Sequence, residues 1–145
     1  MNKNKSFLGS IFSLVSFSNR LIALNVIVYF LFFFIGFFTK NFDRLIFLYP
    51  EDIIQGKNLW TLLTSVFMHG SIFHLFVNMI TLFFLGNFSE QIMGRKKFIT
   101  LYLLAGLVGG LFYVLGSFIG SHITSLANVL GTLDVPAVGA SGALF

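Results

Sequence analysis

The chain is 145 residues long, 57% hydrophobic and 10% charged, with a mean hydropathy of +0.92 and a formal net charge of +4. Soluble domains carry about a quarter charged residues, so these values exclude a water-soluble globular class and indicate an integral membrane protein of one compact domain. Cysteine is absent, which removes disulfides and thiolate metal sites, and no basic helix face interleaved with polar residues offers a nucleic-acid surface.

Residues 1–20 place Lys3, Lys5 and Arg20 ahead of the first apolar run and read as a cytoplasmic N-terminal segment; residues 21–145 read as a transmembrane domain. The run from Leu21 to Thr39 has 19 residues and no charge, which is about the length the hydrocarbon core requires. It is too long for a secretory signal and no small-residue cleavage site follows it. Lys40 to Leu59 mixes Asp43, Arg44, Glu51, Asp52 and Lys57 with apolar residues. That pattern predicts short segments lying in the interface, and Trp60 suits the headgroup level. Ser71 predicts an N-cap for a second span that ends near Gly86 to Phe88. At about 17 residues this span reaches only about 25 Å, so its ends are expected near or below the interfaces. After the turn from Glu90 to Lys97, a third span runs from about Phe98 to Gly120. Gly106 with Gly110, and Gly116 with Gly120, are four apart and share a face that lets backbones approach closely. The following loop holds Asp134 and no Lys or Arg, and a fourth span begins near Gly139. The expected fold is an all-α polytopic bundle with three full transmembrane helices and the start of a fourth.

Three polar side chains interrupt the second span: His69, His74 and Asn78. His74 and Asn78 are four apart and stack on one helical face. Buried in hydrocarbon they need partners or a water-filled cavity; one reading is hydrogen-bonded glue between helices. A metal site is not expected, because His69 and His74 are five apart and no third carboxylate or thiolate ligand is near. The terminal Gly139-Ala140-Ser141-Gly142 is, by itself, a closely packed helix start. It is not the nucleophile elbow of soluble hydrolases, since Ala143 stands where that pattern needs glycine. Topology adds a second reading. His74, Asn78 and Ser141 fall at the same membrane side and similar depth. A serine at a helix N-terminus, an amide and an imidazole form a donor cluster for an oxyanion, as acyl transfer needs. What is missing is a base for Ser141. His122, nineteen residues before Ser141 with no orienting group, reads as a loop histidine.

At these residues the chain resembles the rhomboid intramembrane serine proteases. The resemblance runs through "HGSIFHLFVNM", "SEQIMGRKKFITLYLLAG" and "VGASGALF", from about Leu59 to Phe145. It implies a serine endopeptidase that cleaves transmembrane segments of other membrane proteins, with no cofactor and no metal. It implies Ser141 as nucleophile, and Asn78 and His74 as oxyanion-hole side chains joined by the Ser141 backbone N–H. Gly139 and Gly142 would permit close approach and a tight turn, and His69 would stand near the mouth of the site without being catalytic. Glu90 and Gly94 would shape the turn between spans. Trp60 matches one half of the family's Trp-Arg pair, but Thr61 replaces the arginine, which puts the usual bracing of the outer loop in doubt. Phe145 stands where the family packs an aromatic on its catalytic histidine. That histidine lies on the family's sixth span, so these residues are expected to be an N-terminal part, inactive alone. Two rivals remain open: a non-catalytic rhomboid-like protein that binds membrane helices, and a small channel component using the polar face.

The basic residues Lys3, Lys5, Arg20, Arg95, Lys96 and Lys97 outnumber Lys40, Arg44 and Lys57 at the opposite end. The expected location is a plasma or inner membrane with the N-terminus in the cytoplasm. Because the chain has no cysteine, a Lys96→Cys variant reports one position. It should react with a membrane-impermeant maleimide only after the cells are opened; labelling in intact cells would reverse the topology.

Overall fold

The computed structural model describes residues 16–39 and 42–144. Lys3, Lys5, Lys40 and Phe145, singled out above, lie outside them. Three helices are long and apolar enough to cross a membrane: α1, Phe17–Phe38; α2, Ile72–Met93; and α3, Arg95–His122. Between α1 and α2 run the short helices Asp43–Ile46, Pro50–Ile54 and Thr61–Thr64 and a 3-10 turn, Ser65–Phe67. After α3 come a second 3-10 turn, Thr124–Leu126, and the helices Ala127–Leu130 and Ser141–Leu144. No strand is present among the described residues; one isolated bridge joins Leu48 to Ala137.

α1 begins four residues ahead of Leu21. The cause is a cap that the hydropathy of the run does not reveal. The Ser16 side chain accepts from the Asn19 N–H at 3.2 Å. The Glu90 carboxylate, from the far end of α2, accepts the N–H of Phe17 and of Ser18 at 2.8 Å each and the Ser18 hydroxyl at 3.0 Å. Glu90 also faces Arg95 at 3.5 Å. The first amides of a helix have no partner within it. A carboxylate there also favours the positive end of the helix dipole.

α2 opens as expected, with the Ser71 hydroxyl accepting from the His74 N–H at 3.1 Å. It does not end at Gly86. The helix widens into a π turn over Leu82–Gly86 and continues to Met93. Gly86 is there for space: a Cβ would meet the Leu82 side chain at 2.8 Å and the Ser18 hydroxyl oxygen at 3.2 Å. The stop comes at Gly94, whose φ of +80° is easy only for glycine. With 22 residues, α2 is about 33 Å long and spans the hydrocarbon without shortfall.

α3 has 28 residues and carries the expected glycine face, with Gly106, Gly110 and Gly120 buried. What approaches that face is mostly not another long helix. A Cβ on Gly106 would strike the Val66 side chain, one on Gly110 would sit 3.3 Å from the Leu62 carbonyl oxygen, and one on Gly120 would run into the Gly131 carbonyl. The short segments at one end of the bundle are therefore laid directly on α3. The common core is formed by Leu21, Val66, Leu75, Met79, Leu82, Phe98, Tyr102 and Ala140, and large apolar residues such as Phe34, Phe37, Phe84 and Phe112 face outward, as lipid contact requires.

The Glu90 cap yields a stability prediction. Glu90→Ala should lower stability by about 1–3 kcal/mol, because paired amides and a hydroxyl lose a charged acceptor. Glu90→Gln keeps one acceptor oxygen and should lose less. Thermal unfolding in detergent micelles checks the order; equal melting temperatures for all three would refute it.

Candidate active site

Ser141 opens the last short helix, Ser141–Leu144. The peptide leading into it is tied down by backbone bonds. The Leu48 N–H donates to the Ala137 carbonyl at 3.2 Å and the Ala137 N–H returns to the Leu48 carbonyl at 2.9 Å. The Gly139 N–H donates to the Ser65 carbonyl at 3.0 Å. Ala140 is fully buried.

Gly139 is where the chemistry converges. Its φ is +109°, and a Cβ there would lie 2.7 Å from Cε1 and Nε2 of His74 and 3.3 Å from Nδ2 of Asn78. A side chain would collide with the His74 ring and crowd the Asn78 amide. Glycine thus brings the His74 ring and the Asn78 amide against the peptide two residues ahead of Ser141. His74, Gly139, Ser141 and Gly142 line one cavity of about 410 Å³, together with Leu48 and Tyr113. Asn78 stands behind this lining. It is 4% exposed, and its Nδ2 donates to the His74 carbonyl at 3.0 Å; the amide's second hydrogen is left for another acceptor.

The remaining expected residues fall in three places. Gly142 makes its close approach through its backbone: a Cβ on Gly109 of α3 would sit 2.8 Å from the Gly142 carbonyl oxygen, whereas a Cβ on Gly142 would meet nothing within 4 Å. His69 precedes α2 in extended chain, so helical spacing does not govern it. Its ring packs edge-on against His74, 5.3 Å between centroids. It lines a different cavity, of about 210 Å³, with Tyr29, Phe32, Phe33 and Phe47. Glu90, Gly94 and Trp60 lie away from Ser141. Trp60 is half exposed and its indole N–H donates to the Leu45 carbonyl at 3.0 Å. His122 ends α3 with Nδ1 2.8 Å from the Phe118 carbonyl oxygen and is not part of the Ser141 cavity.

Sequence reasoning missed Ser65, Leu48, Gly109 and Tyr113. The Tyr113 hydroxyl donates to the Val135 carbonyl at 3.1 Å, at the rim of the same cavity. Gly109 had a signal, the Gly109-Gly110 pair, which puts glycine on two neighbouring faces of α3. Leu48 and Ser65 act through backbone atoms and had none.

Residues 56–145 match the family model of the rhomboid domain. The chain belongs to the rhomboid family. It is 32% identical over 132 residues to the rhomboid protease GluP of Bacillus subtilis (strain 168), covering 90% of this chain and 23% of that protein. It is 36% identical over 93 residues to RHOMBOID-like protein 1 of Arabidopsis thaliana, covering 64% of this chain and 20% of that one. It is also 38% identical over 65 residues to inactive RHOMBOID-like protein 8 of the same plant, covering 45% of this chain and 18% of the relative. The chain therefore spans less than a quarter of each of these relatives. A rhomboid-family protein with three candidate spans is a multi-pass membrane protein.

Burial, and after it the neighbouring His74, holds the His69 imidazole down at about 4, from an ordinary 6.5; a backbone contact with Phe67 opposes this. His69 is 6% exposed and neither ring nitrogen has a hydrogen-bond partner in good geometry. Between pH 6.5 and 4 the unfolded chain binds a proton at His69 that the folded chain refuses. Stability should therefore be full above about pH 6.5 and decline as pH falls towards 4, by at most about 1.4 kcal/mol per pH unit. Unfolding midpoints of wild type and His69→Gln across that window check this; parallel curves would show that His69 does not titrate there.

Proposed function

We propose that this rhomboid-family chain supplies the nucleophile and the oxyanion-binding side chains of an intramembrane serine endopeptidase. The observation that carries this reading is the close approach of the His74 ring and the Asn78 amide to Gly139, with His74 and Ser141 lining one cavity. The substrate is a transmembrane segment of another protein. It must unwind locally, because a helix keeps its carbonyls engaged in its own hydrogen bonds. The scissile carbonyl carbon then accepts the Ser141 oxygen as a base removes the hydroxyl proton. Negative charge develops on the carbonyl oxygen, where His74, the free hydrogen of Asn78 and the Ser141 N–H donate to it. Collapse of the intermediate expels the amine with a proton, and water releases the acyl group. The base that the resemblance implies is a histidine on the family's sixth span. The N-terminus faces the cytoplasm, and the site is reached from the other end of the bundle.

A non-catalytic rhomboid-like binding protein is the second reading, favoured by the relative named as inactive. Ser141 between Gly139 and Gly142 favours catalysis. The full-length protein separates them. It should cleave a model transmembrane substrate and react with a fluorophosphonate, and Ser141→Ala should lose both. Asn78→Ala should lower turnover about 100- to 1000-fold while the folded fraction stays near wild type. Normal turnover by the folded Asn78→Ala protein would make Asn78 packing glue; absence of any labelling of wild type would favour the binding protein.

A further inference from the structure

The segment between α1 and α2 carries most of the charge at the serine end of the bundle, and its charges are organised around one side chain. The Arg44 guanidinium forks between two carboxylates, Nη1 to Asp52 at 2.9 Å and Nη2 to Glu51 at 2.9 Å. It also lies over the Tyr49 ring, 5.0 Å from the centroid. The Asn58 amide closes the ring of contacts, donating to the Arg44 carbonyl at 3.1 Å and to Asp52 at 3.0 Å. The Trp60 indole N–H holds the next carbonyl, that of Leu45. Thr61 is fully buried and its hydroxyl donates to the Asn58 carbonyl at 2.8 Å.

The two carboxylates do not weigh equally. Arg44 and Glu51 are half exposed, and an exposed ion pair contributes little. Asp52 is different: its side chain is 4% exposed, so its charge is desolvated and depends on its partners. Removing Arg44 leaves that buried carboxylate with a single amide donor. Rehydrating it would draw the helix Pro50–Ile54 towards water.

That helix is tied to the peptide that leads into Ser141. The Glu51 N–H donates to the Leu133 carbonyl at 3.1 Å, and Leu48, two residues ahead of Pro50, makes the double backbone bridge to Ala137. The Leu48 side chain is 1% exposed, lines the Ser141 cavity and packs on Gly110 of α3. We propose that Arg44 is a positioning residue: its fork to Glu51 and Asp52 locks the outer segment so that Leu48 holds Ala137, and with it the peptide that enters Ser141. The effect on Ser141 chemistry rests on the protease reading above; the effect on the peptide does not.

Hydrogen exchange of the full-length protein in detergent tests it. In Arg44→Gln the Ala137 amide should exchange at least tenfold faster than in wild type, while amides in the middle of α3 keep their rates. Arg44→Lys keeps the charge but cannot fork, and should fall between; it also serves if Arg44→Gln does not fold. Adding Asp52→Asn to Arg44→Gln removes the stranded charge and should restore most of the protection. Unchanged exchange at Ala137, or no recovery in the double variant, overturns the proposal. Fluorophosphonate labelling of Ser141 should slow in step with the exchange. Equal labelling rates despite faster exchange would overturn the link to Ser141. Wild type that shows the exchange pattern but never labels would sink the protease reading and leave the clamp standing.

Discussion

Irregular backbone must find partners for its amides and carbonyls wherever water does not reach them. The peptide from Leu133 to Ser141 is irregular, and segments ahead of α2 pair several of its backbone groups. Glu51 pairs with Leu133, Leu48 with Ala137 in both directions, and Gly139 with Ser65. These bonds come from two segments that precede α2, so the loop before α2 and the loop after α3 form one unit. Glycines on α3 make room for it. Gly109 admits the Gly142 carbonyl, and Gly106 and Gly110 admit Val66, Leu62 and Leu48.

The opposite end of the bundle follows the same logic with different chemistry. There the problem is the unpaired amides at the start of α1, and Glu90 solves it from α2. Asn87 joins in, accepting from the Ser16 hydroxyl at 2.6 Å and donating to Asn19 at 3.1 Å. The ends of the spans are held by directed polar contacts. Packing reinforces these contacts near the same end, with Gly86 of α2 against Ser18 of α1 and Phe98 and Tyr102 of α3 in the shared core. In the proposed protease such rigid ends would serve the oxyanion donors, which are useful only in a fixed geometry.

The three spans, their order and the start of a fourth helical element could be read from hydropathy, since about twenty uncharged apolar residues have few other uses. Ser71 as a cap was legible because it acts within one turn of its own position. The ends of α1 and α2 were misjudged for the opposite reason. Glu90 caps a helix more than seventy residues away, and Gly86 marks a contact with Ser18 instead of a terminus. For the site, the four-residue spacing of His74 and Asn78 placed both on one face, and Gly139 is the reason that face meets the peptide leading into Ser141.

By itself, the sequence determined the class of environment, the helical spans, their local caps and the residue types available for chemistry. These depend on solvent transfer and on neighbours within a few residues, and both are written along the chain. The tertiary structure alone decided that His69 meets His74 from outside the helix, and that the glycine face of α3 receives loops. It also decided that Leu48 and Ser65 hold the serine's peptide through their backbones. Backbone groups are identical in every residue but proline, so their long-range pairing leaves no mark on side-chain pattern; only the folded path of the chain selects which of them meet.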